Sequence, residues 1–267
     1  MKRDVSAHLE VAITAPTTLE FQIAVARQTN LDVNESLVFE LDGWAIAPWE
    51  ILGPHGTRIH KFSVGPGTLR AHYSATVLGN ATPEPGSDYD RALYLRPSRF
   101  AESDKLLGFA ATEFGSGTTD AQLAVQVAKW VGRRIRYVAG SSDPIDGAVE
   151  TLLSGAGVCR DFAHLVVALL RAVKVPARVV SVYAPGCSPM DFHAVAEAYI
   201  DGTWRALDAT GLAPRSTLVR IATGRDASDV AFLDNHGGEI IMNSLQVTAL
   251  VEGFLPFDDN VTPTSIW

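Results

Sequence analysis

Cysteine is nearly absent from this chain: Cys159 and Cys187 are the two among 267 residues. So long a chain with two cysteines is not a disulfide scaffold, and reduced thiols in the cytoplasm are the expectation. Long apolar runs are missing as well. None approaches the roughly 18 residues that a membrane-spanning helix needs. The start, Met1-Lys2-Arg3-Asp4-Val5, leads into Glu10 and alternating polar residues where a signal peptide would carry an apolar stretch, so none is expected. Basic charge is in deficit, with 22 Lys and Arg against 30 Asp and Glu and a net charge of -8, which argues against nucleic acid and anionic membranes as partners. Close metal-binding pairs such as Cys-x2-Cys or His-x3-His do not occur, so zinc is not expected. Asp258-Asp259 alone cannot make a calcium loop. No cofactor is implied.

What the chain does have is 47% apolar content, enough to bury a sizeable core in one large domain or two smaller ones. Residues 1–96 read as β-rich. Leu19, Phe21, Ile23 and Val25 alternate with polar or small neighbours, as do Leu37, Phe39 and Leu41, and then Ala71, Tyr73, Ala75 and Val77. Turn signals at Ala15-Pro16, Asp42-Gly43, Gly53-Pro54, Gly65-Pro66-Gly67 and Pro83-Glu84-Pro85-Gly86 recur at the short intervals of a sandwich or small barrel. This half lacks clustered His, Cys and acidic residues, so a structural or substrate-presenting duty is expected of it. The boundary falls near Tyr94-Leu95-Arg96-Pro97, which leaves residues 97–267 as a catalytic domain and makes the whole chain α+β.

That second part opens with helical signals. Ser103 reads as a cap for a segment through Leu107 and Ala110, and Thr119-Asp120-Ala121-Gln122 as a capping box ahead of Leu123, Val127, Trp130 and Val131. A short helix near Ala148 to Leu153 leads into Gly155 and Gly157, whose tolerance of positive φ permits a sharp turn. Cys159 follows at the head of a helix. Val158, Phe162, Leu165, Val166, Leu169, Leu170 and Val173 recur at steps of three and four, so one face is expected to be buried until Lys174-Val175-Pro176 stops the helix. The unpaired N–H groups and the positive dipole end at such a position favour an anion, which is the reactive form of a thiol.

A cysteine nucleophile needs a base. The stretch from Asp191 to Thr210 reads as two strands around Asp201-Gly202, the dipeptide that a two-residue type I′ hairpin prefers. That turn pairs Ile200 with Thr203, and counting outward sets Val195 opposite Asp208 and His193 opposite Thr210. Because the side-chain period is two, all four project from one side of the sheet, and His193 and Asp208 become diagonal neighbours about 7–8 Å apart at the backbone. An aspartate can then reach the ring and orient it. Glu197 shares this face, where a buried carboxylate calls for a cation such as an Arg. Cys187, in Pro185-Gly186-Cys187-Ser188-Pro189, reads as a loop thiol with no role.

These residues resemble the bacterial transglutaminase-like family. Gly157-Val158-Cys159-Arg160-Asp161-Phe162-Ala163-His164-Leu165, Val175-Pro176-Ala177-Arg178, Asp191-Phe192-His193-Ala194 and Asp208-x-Thr210 are similar to its successive motifs in order, and Gly224-Arg225-Asp226-Ala227-Ser228-Asp229-Val230-Ala231 resembles a segment that follows them. The likeness runs over about residues 94–235. Val195 stands where the family has Trp, and Ala209 where it has Pro. The resemblance implies a papain-like core with a triad of Cys159, His193 and Asp208. His164, five residues after Cys159 and so about 500° round the helix, faces away and reads as structural; Asp161 reads as support for the helix start.

The expected chemistry is attack of Cys159 on a peptide or carboxamide carbonyl to give a thioester, with a protein or peptide as substrate. Water resolving that thioester makes a cysteine peptidase or amidase, which is favoured because no device for excluding water is visible. An amine in place of water makes a protein-glutamine gamma-glutamyltransferase. A non-catalytic peptide-binding module is the rival from another class.

Overall fold

The computed structural model describes residues 1–115 and 118–266. In chain order the first strands are β1 (Lys2–Ile13), β2 (Thr17–Phe21), β3 (Asp32–Leu41), β4 (Trp44–Ile46), β5 (Trp49–Leu52), β6 (Arg58–Val64) and β7 (Gly67–Leu78). Next come α1 (Asp88–Leu93), α2 (Leu107–Phe114), α3 (Asp120–Arg134), β8 (Arg136–Tyr137), α4 (Ala148–Ser154), β9 (Ala156–Gly157) and α5 (Cys159–Ala172). The chain finishes with β10 (Ala177–Tyr183), β11 (Phe192–Ile200), β12 (Thr203–Leu207), β13 (Val219–Gly224), α6 (Ala227–Val230), β14 (Leu233–His236) and β15 (Ile240–Val251).

Two sheets form the β-rich part, ordered β15-β1-β7-β3-β4 and β14-β2-β6-β5. Strict alternation drives them together: Val5, Ala7, Leu9, Val11 and Ile13 of β1 are buried while their neighbours are not. Phe39 of one sheet meets Phe21 and Phe62 of the other with ring centroids 5.0 and 4.9 Å away, so the interface is a sandwich core. The long strand β15 pairs with β1, and β14 pairs with β2. Residues 233–251 thus complete the N-terminal sheets, and a linear cut at 96/97 would strand them on the wrong side.

The other half places β12-β11-β10-β13 as an antiparallel sheet against α5, with α2, α3 and α4 on the helix's far side. Expected to bury one face, α5 is buried all round, from Asp161 through Ala172, because sheet and helices sandwich it. Lys174 at φ 69° ends it. Thr119 caps α3 as its box predicts, its Oγ1 accepting from Gln122 N at 3.3 Å while Gln122 Oε1 accepts from Thr119 N at 3.1 Å. Ser103 caps nothing: α2 begins only at Leu107, with no side-chain cap.

Behind the sheet, the fully buried Glu197 carboxylate lies between the guanidinium groups of Arg178 at 2.8 Å and Arg220 at 2.6 Å. Burial opposes its charge, but the two arginines outweigh that and hold its pKa down to about 2. Arg178 continues outward to His55 at 3.2 Å, whose ring lies 2.6 Å from Glu84, so the network reaches the N-terminal half. Glu197→Gln should cost ~3–5 kcal/mol in urea unfolding at pH 7, since it leaves two buried cations short of a partner. The folded pKa is depressed, so Glu197 stabilises fully above the ordinary carboxylate range and loses that contribution as pH falls toward 2. The variant's deficit should therefore shrink on acidification, and a deficit independent of pH would contradict this account.

Candidate active site

The nucleophile's position is set by glycine and aspartate. Gly155 ends α4 in the left-handed region at φ 65°, as the turn requires. Gly157 serves differently from expectation, since its φ is not positive; a Cβ there would lie 2.7 Å from Cβ of Asp161. Its absence lets the Asp161 carboxylate reach back, accepting from Val158 N at 2.8 Å and from Ser142 Oγ at 2.9 Å. Arg160 donates to Ser142 Oγ and to the Asp143 carbonyl, each at 2.6 Å, and ties the preceding loop to the helix start. Cys159 is then the first helical residue, half-buried, with Sγ 4.0 Å from the Phe192 carbonyl oxygen.

The hairpin follows the predicted register. Asp201 and Gly202 have φ of 50° and 80°, as a type I′ turn demands, and the ladder runs from Ile200–Thr203 to Ala196–Leu207. One step further out, His193 Nε2 and Asp208 Oδ2 lie 2.9 Å apart, both side chains about 1% exposed. Thr210 completes the support, donating its N–H at 2.9 Å and its hydroxyl at 2.6 Å to Asp208 Oδ1. Burial works against charge on both partners. Asp208, with Cys159 as a further hydrogen-bond partner, nonetheless holds the imidazole's pKa well above its ordinary value, and the imidazole and Thr210 hold Asp208 below its own. With Nε2 on the carboxylate, Nδ1 is the nitrogen left for the sulfur. The structure thus brings together all three residues singled out in the sequence.

Other expectations divide. His164 is structural: fully buried, stacked on Phe100, its Nε2 accepts from Ala227 N at 3.0 Å, and burial pushes its pKa down to about 3. Asp226, in the segment after the motifs, caps α6 and accepts from Phe100 N at 2.8 Å. Val195, where the family has Trp, lies in a buried cluster with Val180, Val182, Cys187 and Ala206. Cys187 is a free thiol in its loop, as expected, but a buried one. It is 7% exposed, and burial pushes its thiol up although His193 pulls it the other way. One neighbour escaped the sequence reading altogether. The two-residue β8 pairs with β9 and sets Tyr137 opposite Gly157, beside the nucleophile, and a pair that short leaves no periodicity to detect.

Residues 109–209 match the profile of the Transglutaminase-like superfamily. A solved structure described as a candidate cysteine protease from Cytophaga hutchinsonii is 32% identical, with a TM-score of 0.89 over 98% of this chain and 95% of that one. The chain belongs to the transglutaminase-like superfamily. An uncharacterized protein of Mycobacterium leprae is 24% identical over 149 residues, 51% of this chain, and the chain spans about half (52%) of that curated relative. The periplasmic domain of TgpA from Pseudomonas aeruginosa is more distant, at 18% identity and a TM-score of 0.44 over 77% of this chain and 90% of that one. No helix among the described residues of this transglutaminase-like protein is long and apolar enough to cross a membrane.

The two thiols should differ in reactivity. At pH 6 iodoacetamide should label Cys159 at least ~10-fold faster than Cys187, because an accessible thiol at a helix start next to a charged imidazole reacts and a buried one does not. Peptide mapping by mass spectrometry reads both rates in one sample, and equal labelling would count against Cys159 as the nucleophile.

Proposed function

We propose that this transglutaminase-like protein is a thiol hydrolase, a cysteine peptidase or amidase, that forms a thioester at Cys159 from a peptide or carboxamide carbonyl. The observation that carries the reading is the buried His193–Asp208 pair at 2.9 Å, with the Cys159 sulfur 4.0 Å from the carbonyl oxygen of Phe192, the residue just before His193. An imidazole of raised basicity accepts the thiol proton. The sulfur lone pair then forms a bond to the carbonyl carbon while the C=O π electrons move to oxygen, where the Cys159 N–H at the helix start stabilises the charge. Collapse of that oxyanion breaks the C–N bond, and the leaving amine takes the proton from His193. Water, deprotonated by the same ring, cleaves the thioester and returns the thiol.

Hydrolysis is favoured over amine transfer because Cys159 is only half-buried and adjacent Tyr137 is 46% exposed, so water reaches the sulfur. The proposed substrate is a protein or peptide, met in the cytoplasm, where two unpaired cysteines would persist as thiols. Incubating a glutamine-bearing peptide with the protein and excess lysine-like amine separates the outcomes: free acid supports hydrolysis, and an amine adduct would replace this reading with cross-linking transfer.

Asp208→Asn tests the triad itself. An amide can hold the ring in the wrong tautomer, so turnover should fall by about 10⁴ while the fold persists. If Asp208 merely stapled the Thr210 turn, the variant would lose about 1 kcal/mol of stability and little rate. Melting temperature and turnover measured on one preparation distinguish these, and an unchanged rate would reduce the triad to a dyad.

A further inference from the structure

The five-stranded sheet of the N-terminal half brings together a second set of ligating side chains. β1 and β7 lie side by side within it, and their register puts His8 directly opposite His72. Val5, Ala7, Leu9 and Val11 are buried in the sandwich, so His8, one step out of phase with them, projects from the outer face. His72 alternates in the same way with the buried Ala71 and Tyr73. Directly opposed side chains of an antiparallel pair have Cβ atoms about 4.5–5.5 Å apart, and the two imidazoles close that gap. Their Nδ1 atoms are 2.6 Å apart, and the rings meet edge to face with centroids at 4.9 Å. A separation of 64 positions in the chain hides this pair from any search for closely spaced ligands.

Two ring nitrogens at 2.6 Å share one hydrogen. One Nδ1 donates and the other accepts, so one ring carries its hydrogen on Nδ1 and its partner on Nε2. Shifting the donor ring to its Nε2 tautomer leaves two Nδ1 lone pairs facing the same small space with no net gain or loss of a proton, and neutral imidazole is the commonest metal ligand in proteins. The neighbours do not fill that role. His8 faces Gln246 on its other side, and His72 faces Val38. Glu10, next along the same face, is already engaged: its Oε2 accepts from Arg70 Nε at 3.0 Å and its Oε1 from Asn243 Nδ2 at 3.3 Å. Among the described residues no three His, Cys, Asp or Glu side chains are grouped to hold a metal, so this is a two-nitrogen site in which water supplies the remaining positions.

The spacing selects the ion. With metal–nitrogen bonds of about 2.0 Å, adjacent corners of a tetragonal site lie about 2.8 Å apart and those of a tetrahedron about 3.3 Å. From 2.6 Å the rings need to open by about 0.2 Å for the first and about 0.7 Å for the second. Tetragonal nitrogen sites suit copper(II) and nickel(II), and copper(II) heads the affinity order of the divalent first-row metals. We infer that His8 and His72 form a copper(II) site on the outer face of the N-terminal half, the ion tying β1 to β7. Two metal–nitrogen bonds replace one hydrogen bond, and no electron is transferred. The site lies on a different sheet from His193 and stands independently of the thioester reading.

The test uses the full chain at pH 8, with Cys159 first alkylated by iodoacetamide so that its thiol does not compete for metal. Copper(II) chloride titrated into this protein and followed by electron paramagnetic resonance should give one tightly held ion per chain, its signal split by two nitrogens. His8→Gln and His72→Gln, both on the outer face, should each weaken that ion by at least about 10²-fold, because the second ligand of a linked pair binds at high effective concentration. Glu10→Gln on the same face should bind within twofold of wild type. Copper should also raise the urea midpoint of the wild type and leave those of both histidine variants unchanged, since the ion binds only where the strands are paired. Equal affinity in the wild type and either histidine variant would overturn the site. So would a loss in Glu10→Gln as large as theirs, because surface charge would then be attracting a loosely held ion. Zinc chloride bound as tightly as copper would overturn the tetragonal assignment.

Discussion

A two-residue turn is the constraint on which the site depends. Asp201 and Gly202, both at positive φ, lock the register of β11 on β12, and side chains alternate faces with a period of two, so a slip of one residue would send every one of them to the opposite side. His193, Val195 and Glu197 therefore share a face with Asp208 or not at all. The same choice sets the base against its carboxylate and drops Glu197 between Arg178 on β10 and Arg220 on β13. Catalytic geometry and sheet cohesion are two consequences of one register. That is also why the charged residues on this face tolerate burial: each has a partner delivered by the strand beside it.

The helix start is the second element, and it works by leaving something unsatisfied. Asp161 takes the Val158 N–H, and Gly157 lacks the Cβ that would block it. A carboxylate on the Cys159 N–H would compete with any oxyanion. Here the acid sits two residues past the nucleophile and reaches back over it, so the helix gains its N-terminal anion without losing the donor that chemistry needs. Arg160 and Ser142 hold that carboxylate from the other side.

Periodic patterns and turn chemistry made much of this readable from residues alone. The Asp-Gly turn, the Cys159 helix, the capping box at Thr119 and the alternation in β3 and β7 are local signals, and each element formed where its signal lay. What was not readable came from tertiary partners. The all-round burial of α5 depends on helices packed from afar, since Asp161, His164 and Arg171 each found a partner on another element. Arg171 reads as a solvent residue near a helix end, yet it binds the carbonyls of Arg96, Ala177 and Arg225 and pins the crossing segment to the core. The return of β14 and β15 to the first sheets is likewise invisible to any local pattern. Tyr137 sits on a strand of two residues, below the length at which periodicity exists.

Electrostatics then tie the site to the stability of the whole. Burial alone would neutralise both His193 and Asp208; the pair survives because each holds the other charged. The imidazole's pKa is raised on folding, so its contribution is fully present below about 6.5 and fades as pH climbs through the elevated value. The carboxylate's is lowered, so its contribution is full above about 3.9 and fades as pH falls through the depressed one. The two overlap completely only in the mildly acidic interval between those ordinary values. Toward neutrality the raised imidazole is what keeps the pair intact, and the atom that holds it raised is the Asp208 oxygen that the hairpin register delivered. Removing that oxygen would free the ring both to rotate and to lose its proton, so orientation and basicity cannot be tuned separately at this site.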